Sequence, residues 1–200
     1  MAGPWNHNIH YHDFILKSVP PHCRRALDVG CGEGLLARQL AQRCRQVVAI
    51  DTDPGTIRHA AAVQPIDRRI EFLKADFMTY PFPEENFDMI TAVATLHHLP
   101  LTPALERFRY LLKPGGVLAV IGLYRSQTLA DYVAAAIALP ASRIFRLRFG
   151  FNEVAAPTRA PEEGLNEIRR AIRSQLPGAD LRRRLLFRYS VVWRKPAPEV

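Results

Sequence analysis

Short apolar segments alternate with amphipathic segments over the first two thirds of the chain. The apolar segments are rich in β-branched residues, end in Gly or Asp, and predict strands at 25–30, 46–51, 69–76, 87–93 and 116–122. Because they are apolar on both faces, they are typical of strands buried in a parallel sheet. Helical patterns lie between them, at 33–44, 54–63 and 102–112. This alternation predicts a doubly wound α/β fold.

The pattern changes toward the end of the chain. Leu165, Ile168, Ile172 and Leu176 recur at helical spacing, which predicts an amphipathic helix over 162–176. The β-branched and aromatic residues of 181–195 predict one long strand or a tight hairpin. Terminal strands in place of a second βαβ half distinguish this pattern from a repeated dinucleotide-binding fold.

Length and composition limit the class of protein. The 200 residues suffice for one core, and the hydrophobic fraction of 48% is that of an ordinary globular chain. The longest apolar segment, 129–145, is interrupted by Asp131, Pro140 and Arg143, and is shorter than the ~20 apolar residues of a spanning helix. We therefore expect no membrane span. With no basic and then apolar start to the chain, we also expect a cytoplasmic location.

Cysteine and histidine spacing argues against structural cross-links. Cys23, Cys31 and Cys44 form no CxxC pair, which speaks against a disulfide framework and a zinc knuckle. His10 and His12, with His7 before them, lack a Cys or Glu that would complete a close ligand set. We therefore expect no metal site.

The formal net charge of +8 is concentrated near the end of the chain. Residues 143–200 hold 13 Lys or Arg against 6 Asp or Glu. Such a region can bind nucleic acid, or it can be a solvated face of a chain that uses Arg in preference to Lys. We favour the solvated face and keep RNA binding as an alternative.

The segment "ALDVGCGEGLL" (26–36) places three glycines directly after the first predicted strand. A glycine-rich turn between a strand and a helix lets a nucleotide-bearing ligand approach the backbone. The pattern is G-C-G-E-G, with Leu35 where the dinucleotide turn G-x-G-x-x-G has its third glycine. The fit to an NAD turn is therefore imperfect.

Three aspartates discriminate between ligands. Asp51 ends the second strand, where a carboxylate accepts both hydroxyls of an adenosine ribose. Asp76 ends the third strand, where a carboxylate can accept from the adenine amine while the Phe77 N–H donates to the ring. Asp28 lies two residues before Gly30, where it would repel a pyrophosphate and attract an ammonium group. An adenosine ligand with an ammonium and no phosphate is S-adenosyl-L-methionine.

Five ordered motifs, "LDVGCGEG", "AIDTDP", "KADF", "FDMITAVATLHHL" and "LLKPGG", resemble the class I S-adenosylmethionine-dependent methyltransferases. The similarity is greatest to their small-molecule, type 11-like branch and covers roughly residues 25–122. It implies a Rossmann-like, doubly wound, mostly parallel seven-stranded sheet with an antiparallel C-terminal strand.

The resemblance also implies roles for particular residues. Gly30 and Gly32 would let the backbone approach the methionine moiety, and Asp28 would contact its ammonium. Asp51 would hold the ribose. The remaining implied cofactor contacts are Thr52, Asp76 and Phe77 at the adenine, Ala94 at the sulfonium, and Tyr11 on an N-terminal lid.

The chain is expected to form one methyltransferase domain with four parts. These are an N-terminal helical lid (1–24), a cofactor-binding core (25–122), a variable helical substrate region (123–160), and a last helix with C-terminal strands (161–200). The aromatic residues of the variable region suit a planar or apolar acceptor, and equally suit an ordinary core: Tyr124, Tyr132, Phe145, Phe149 and Phe151.

His97 and His98 follow the fourth strand, at the sheet edge where open α/β sheets bind ligands. A neutral imidazole there can act as a general base or form part of the pocket wall. No N-P-P-Y-type motif follows this strand, which argues against acceptors with amide or base-ring amino nitrogens. We therefore expect methyl transfer to a small molecule by a monomer or homodimer. An RNA methyltransferase and a catalytically inactive cofactor-binding protein are the alternatives.

Overall fold

Seven strands form one sheet in the computed structural model, which describes residues 9–63, 67–125, 160–184 and 188–197. The strands are β1 Arg25–Val29, β2 Gln46–Asp51, β3 Ile70–Lys74, β4 Phe87–Val93, β5 Leu112–Leu123, β6 Asp180–Arg184 and β7 Arg188–Arg194. Their spatial order is β3-β2-β1-β4-β5-β7-β6. Strands β1 to β5 pair in parallel, and β7 is antiparallel to both of its neighbours. The predicted fold class is confirmed.

Helices flank this sheet, four of them where the periodicity predicts them and the first in the N-terminal segment that the resemblance implies to be helical. They are α1 His12–Lys17, α2 Leu35–Leu40, α3 Pro54–Ala62, α4 Leu101–Leu111 and α5 Leu165–Gln175, with 3₁₀ turns at Ile9–Tyr11 and Leu96–His98. Helix α3 begins with Pro54, and the Asp53 side chain caps it by accepting from the Thr56 N–H at 2.5 Å. Helix α2 is shorter than its predicted 33–44: it begins after Gly34, which is left-handed with φ +76°, and ends at Leu40.

Two strands differ from the sequence prediction. Strand β3 lies at the edge of the sheet and its side chains are exposed or half-buried, so the expectation of burial on both faces is wrong there. Strand β5 begins at Leu112, directly after α4, and not at residue 116. Its first residues shift register against β4 opposite Asp88, where Gly115 has φ +74°. The "KPGG" motif is thus an irregular start to the strand.

Alternate residues of the central strands divide the core between the two faces of the sheet. On one face, Val120 and Tyr189 belong to a cluster with Phe108 of α4 and Ile172 of α5. On the other face, Ile121 belongs to a cluster with the buried residues of α1 and α2: Ile15, Leu16, Leu36, Ala37 and Leu40. Both layers of helices therefore anchor to the same strands.

The C-terminal segment forms a hairpin of β6 and β7, which resolves the choice between one long strand and a hairpin. Strand β7 lies between β5 and β6, so the later strand of the hairpin is the inner one. Most of the predicted substrate region 123–160 lies outside the described residues, including Tyr132, Phe145, Phe149 and Phe151. Within the described part of the chain, no helix has the length and apolarity to cross a bilayer.

Gly122 is a point of close packing between β5 and β7. It pairs with Tyr189, and a Cβ added at Gly122 would lie 2.2 Å from Tyr189 Cζ. Because Tyr189 is fully buried, its ring has little room to move. We expect Gly122→Ala to destabilise the protein by about 1 to 3 kcal/mol, measured by thermal unfolding as a drop of roughly 2–4 °C per kcal/mol.

The matched control is Gly55→Ala in the first turn of α3. Its new methyl group would lie 3.1 Å from the flexible Asp53 side chain. The nearest atoms to it all belong to side chains that can move. We expect a change within about 0.5 kcal/mol for this variant. Equal unfolding temperatures for Gly122→Ala and the wild type would contradict the packing assignment.

Candidate cofactor and acceptor site

The glycine turn after β1 has a backbone that requires glycine. Gly30, Gly32 and Gly34 have φ values of +68°, +52° and +76°. The N–H groups of Gly30 and Cys31 both donate to the Ile50 carbonyl at 2.9 Å, which ties the turn to β2. A Cβ on Gly30 would lie 2.2 Å from Thr95 Oγ1, whereas a Cβ on Gly32 would meet no atom within 4 Å. Gly30 is thus closed by packing, and Gly32 borders open space.

Asp28 lies directly before this turn and is buried, with 2% of its surface exposed. The Thr91 hydroxyl donates to its Oδ1 at 2.8 Å. Its Oδ2 is buried and has no hydrogen-bond partner among the described residues. Burial raises the pKa of Asp28 to about 7, against the opposing effect of the Thr91 hydrogen bond. The carboxylate therefore has one acceptor oxygen that a bound cation could satisfy.

Asp51 ends β2 and holds the turn from the other side. Its Oδ2 accepts from the Gly32 N–H at 3.2 Å and its Oδ1 from the Asp53 N–H at 3.0 Å. A carboxylate has about four lone-pair sites, so two backbone contacts leave it able to accept from a ligand. Thr52, next in the chain, is exposed. The structure thus brings Asp28, Gly32 and Asp51 to one edge of the sheet.

Asp76 and Phe77 follow β3 at the same edge. Asp76 is exposed, and its Oδ1 accepts from the Met78 N–H at 2.7 Å. Phe77 is buried, with its ring 4.6 Å from that of Phe108. Arg107 donates to the Phe77 carbonyl and so fixes this loop to α4. The position of the loop after β3 is therefore set by its contacts with α4.

Ala94 follows β4 with φ +53°, an unusual backbone conformation for a residue with a Cβ. Its N–H donates to the Ile121 carbonyl at 2.7 Å, which holds the chain against β5. Such conformations cost ~1–3 kcal/mol and cluster at functional sites. Thr95 then lies against Gly30. The ends of β1 and β4 are in direct contact here.

His97 and His98 form the 3₁₀ turn after Ala94, with ring centroids 4.0 Å apart. His97 is half-buried, and its Nδ1 has no hydrogen-bond partner among the described residues. Burial, followed by the charges of His98 and Arg188, lowers the pKa of His97 to about 4. His97 is therefore a neutral imidazole at pH 7. His98 is exposed.

Tyr11 lies in the N-terminal 3₁₀ turn and is buried. Burial raises the pKa of Tyr11, and the nearby positive charges of Arg188 and Arg184 act in the opposite direction. Arg188, with 8% of its surface exposed, also acts on His97, so it lies close to both predicted residues. Sequence reasoning missed Arg188, because only strand pairing places the start of β7 opposite Leu123 at the end of β5.

Of the N-terminal histidines, His7 lies outside the described residues and His12 has a structural contact. His12 is buried, and its Nδ1 lies 2.8 Å from Gln39 Oε1, which links α1 to α2. Burial lowers the pKa of His12. Among the residues that the structure describes, no group of three His, Cys, Asp or Glu side chains is arranged to hold a metal ion.

Comparison with known proteins identifies the family. The family described as "Methyltransferase domain" matches residues 27–120. The uncharacterized methyltransferase Rv0089 of Mycobacterium tuberculosis is 39% identical over 98% of this chain and 100% of its own length. A ubiquinone biosynthesis O-methyltransferase of Xylella fastidiosa is 38% identical over 62% of this chain and 51% of that protein.

A solved structure agrees with this assignment at the level of the fold. The N-methyltransferase NodS of Bradyrhizobium japonicum, in complex with S-adenosyl-L-homocysteine, matches with a TM-score of 0.64 over 96% of this chain and 87% of that chain, at 16% identity. The fold and the glycine turn define a Rossmann-like methyltransferase. The chain belongs to the class I S-adenosylmethionine-dependent methyltransferases, as its motifs indicate.

Asp28 makes the stability of the ligand-free protein depend on pH. Because its pKa is raised in the folded state, the folded protein holds this proton more tightly than the unfolded chain does. The proton on Asp28 therefore adds its full amount to the free energy of unfolding below about pH 4. This stabilisation is lost as the pH rises to about 7. Asn at this position does not titrate. We expect the unfolding temperature of Asp28→Asn, relative to wild type, to rise across this interval in thermal scans.

Asp67→Asn is the matched control, since the sign of its effect is opposite. Hydrogen bonds from Arg69 lower the pKa of Asp67, a half-buried residue. The Asn variant lacks the stabilising ionised carboxylate. We therefore expect its unfolding temperature to fall relative to wild type as the pH rises and Asp67 ionises in the wild type. If the unfolding temperatures of Asp28→Asn and wild type differ by the same amount at every pH, the raised pKa of Asp28 is contradicted.

Proposed function

We propose that this methyltransferase transfers the methyl group of S-adenosyl-L-methionine to a small-molecule acceptor by in-line displacement. The observation that carries the proposal is the buried Asp28 carboxylate, whose Oδ2 lacks a partner among the described residues beside the glycine turn. A pyrophosphate would be repelled by this charge, whereas the ammonium of the methionine moiety would be attracted and would satisfy the oxygen. The cofactor supplies an activated methyl group on a sulfonium.

The proposed cofactor contacts follow the sheet edge from β3 through β2 and β1 to β4. Gly32, which borders open space, allows the methionine moiety close to the backbone, and Gly30 shapes the same turn. Asp51 retains acceptor capacity for the ribose hydroxyls, with Thr52 beside it toward the adenine. The remaining contacts that we propose are Asp76 and Phe77 at the adenine edge, and Ala94 at the sulfonium.

Much of the catalysis in such a displacement comes from holding the acceptor in line. Positioning can contribute ~7–11 kcal/mol without a covalent intermediate. The lowered pKa of His97 keeps the imidazole neutral, so its Nδ1 can accept a hydrogen bond from an O–H or N–H acceptor. The same low pKa makes His97 a weaker base than an ordinary histidine, which favours the pocket wall over proton abstraction. We propose that His97 acts as a general base or forms part of the pocket wall. We propose the same roles for His98, which lies beside it and is exposed.

The N-terminal segment is the proposed lid. Tyr11 is buried against the arginines of the C-terminal hairpin, so the segment reaches across to the acceptor side of the site. A lid in this place would keep water from the acceptor during transfer. We also propose the division of the chain into lid, core, substrate region and terminal strands.

The arginines of the C-terminal hairpin support a small-molecule enzyme better than an RNA methyltransferase. Arg182 pairs with Asp180 at 2.9 Å, and Arg183 donates to the Tyr124 hydroxyl at 2.9 Å. Arg184 donates to Ser190 Oγ at 2.8 Å, and Arg188 is buried. These side chains are engaged by neighbouring groups of the protein or are buried, so they offer little contact to a phosphate backbone. A cytoplasmic location and a monomer or homodimer remain predictions.

Cofactor binding tests the proposal directly. In a calorimetric titration, we expect S-adenosyl-L-methionine to bind wild type and to bind Asp28→Asn at least tenfold more weakly, because the charge-assisted contact to the ammonium is lost. Wild-type affinity should also rise as the pH passes about 7 and Asp28 ionises. Asp67→Asn serves as the control and should bind as wild type does. The absence of heat and of a thermal shift in wild type would overturn the proposal.

The role of His97 is tested by separating binding from turnover. With a small-molecule extract and cofactor labelled in its methyl group, we expect His97→Ala to transfer label ~10²-fold more slowly while its affinity for the cofactor stays within twofold of wild type. His59→Ala, on the exposed face of α3, is the control and should retain the rate. Unchanged turnover in His97→Ala would remove the base. Label that enters RNA in place of small molecules would favour the alternative acceptor.

A further inference from the structure

A cavity of about 420 Å³ lies at the amino ends of β1 and β2, and we call it the amino-edge cavity. Its lining residues are His22, Cys23, Arg24, Arg43 and Arg45. Arg24 directly precedes β1, Arg45 directly precedes β2, and Arg43 follows α2. The volume lies in the range of about 300–1,000 Å³ that is common for small-molecule pockets. The sequence therefore brings three arginines from two segments to one cavity.

Hydrogen bonds fix the segments that carry these arginines. The Arg45 N–H donates to the Cys23 carbonyl at 3.1 Å, so the contact between the two strand entrances continues to this edge of the sheet. Nη1 of Arg43 donates to the Leu16 carbonyl at 2.8 Å, which ties Arg43 to α1. The Arg24 N–H donates to the Asp88 carboxylate at 3.0 Å. The backbone around the cavity is thus held in place by neighbouring elements.

The positive charges that line the cavity have no carboxylate to balance them. Among the residues that the structure describes, the ion pairs do not include Arg24, Arg43 or Arg45. The Asp88 carboxylate, which accepts from the Arg24 N–H, is itself paired with Lys113 Nζ at 3.0 Å. The guanidinium groups of Arg24 and Arg45 are on exposed side chains, so they are free to turn toward a ligand.

The cysteine in the lining adds no negative charge. Cys23 is buried, with 3% of its surface exposed. A hydrogen bond with Cys44, followed by burial, raises the pKa of the Cys23 thiol, which is therefore neutral at pH 7. His22 precedes it with φ +60°, a conformation that few residues with a Cβ adopt. The cavity thus combines a neutral buried thiol with three cationic side chains.

This cavity is separate from the proposed cofactor contacts. Strand β1 has five residues, and at about 3.3 Å per residue it places ~16 Å between Arg24 and the glycine turn. Asp28 and Asp51 give the carboxyl edge of the sheet negative charge, whereas the amino edge of the same two strands carries the arginines. A ligand that the carboxyl edge would repel is therefore suited to the amino edge.

We propose that the amino-edge cavity binds the diphosphate group of a small molecule. Guanidinium groups match the oxygens of a phosphate with two parallel N–H donors, and Arg24, Arg43 and Arg45 supply three such groups. A single phosphate carries about two negative charges, so it leaves one guanidinium without a counter-charge, whereas a diphosphate can engage all three. This site is distinct from the methyl-transfer site, and its occupation does not depend on the function proposed above.

Inorganic pyrophosphate is the probe. In a calorimetric titration at about 0.15 M salt, which screens weak attraction between exposed charges, we expect it to bind wild type, and inorganic phosphate to bind at least tenfold more weakly. The double variant Arg24→Gln, Arg45→Gln should bind pyrophosphate at least tenfold more weakly than wild type does. Each single variant should show a loss of about threefold, and these carry the test if the double variant does not fold.

Arg109→Gln is the matched control, because it removes the same charge from an exposed position on α4, outside the cavity. It should bind pyrophosphate as wild type does. A loss in Arg109→Gln equal to that in Arg24→Gln, or no binding of pyrophosphate to wild type, overturns the site. Equal affinities for phosphate and pyrophosphate contradict the diphosphate assignment.

Saturation with S-adenosyl-L-homocysteine separates this site from the cofactor site. We expect pyrophosphate to bind with the same affinity, within twofold, whether or not S-adenosyl-L-homocysteine is present. Competition between the two would place pyrophosphate at the carboxyl edge and refute the amino-edge site. A protein that binds pyrophosphate through Arg24 and Arg45 but not S-adenosyl-L-homocysteine supports this proposal and refutes the cofactor site alone.

A third titration distinguishes the sources of the phosphate groups. Tighter binding of adenosine diphosphate than of pyrophosphate assigns the cavity to organic diphosphates, and weaker binding assigns it to free pyrophosphate. A short single-stranded RNA should bind at least tenfold more weakly than pyrophosphate. If the RNA binds as tightly as pyrophosphate and loses affinity in the Arg24→Gln, Arg45→Gln variant, the assignment to a small molecule is wrong.

Discussion

The site depends on the pairing of Asp28 with Thr91 across the centre of the sheet. These residues are register partners on β1 and β4, and their side chains are joined by a hydrogen bond in a buried, apolar setting. The strand order reverses between β1 and β4, which is where open α/β sheets leave a crevice at their carboxyl ends. One oxygen of Asp28 is satisfied by Thr91, and the other is buried without a hydrogen-bond partner among the described residues. The register of these two strands therefore sets the position of the charge.

The surrounding loops are fixed by short contacts between neighbouring strand ends. Thr95, after β4, packs where Gly30 has no side chain, and the Ala94 N–H is held by Ile121 of β5. Asp51 receives two backbone N–H groups, one of them from the glycine turn. The proposed cofactor side is thus preorganised by backbone hydrogen bonds. The proposed acceptor side depends more on side chains, because His97, Tyr11 and Arg188 come from three separate segments.

The parts that sequence predicts well are those encoded by local pattern. The strands, the helix start at Pro54 and the glycine turn at Gly30 all follow from periodicity or from residue types with a fixed conformational role. Features that require knowledge of distant pairing could not be predicted. The sequence shows Arg188 only as part of a basic segment. Its place beside the other site residues follows from the pairing of β7 with β5. The close packing of Gly122 against Tyr189 is hidden for the same reason, since 67 positions in the chain separate the two residues.

The inner position of β7 has a consequence for the order in which the protein folds during synthesis. Strands β1 to β5 can pair as they leave the ribosome, because each finds its neighbour among residues already made. The sheet edge at β5 stays open until β7 emerges, as β6 has no contact with β5 in the strand order. An open parallel edge exposes apolar surface and unpaired backbone groups. During synthesis there is thus a stage in which the strands around Asp28 are paired but β7 is not yet in place. At that stage the half of the site near His97 still lacks Arg188.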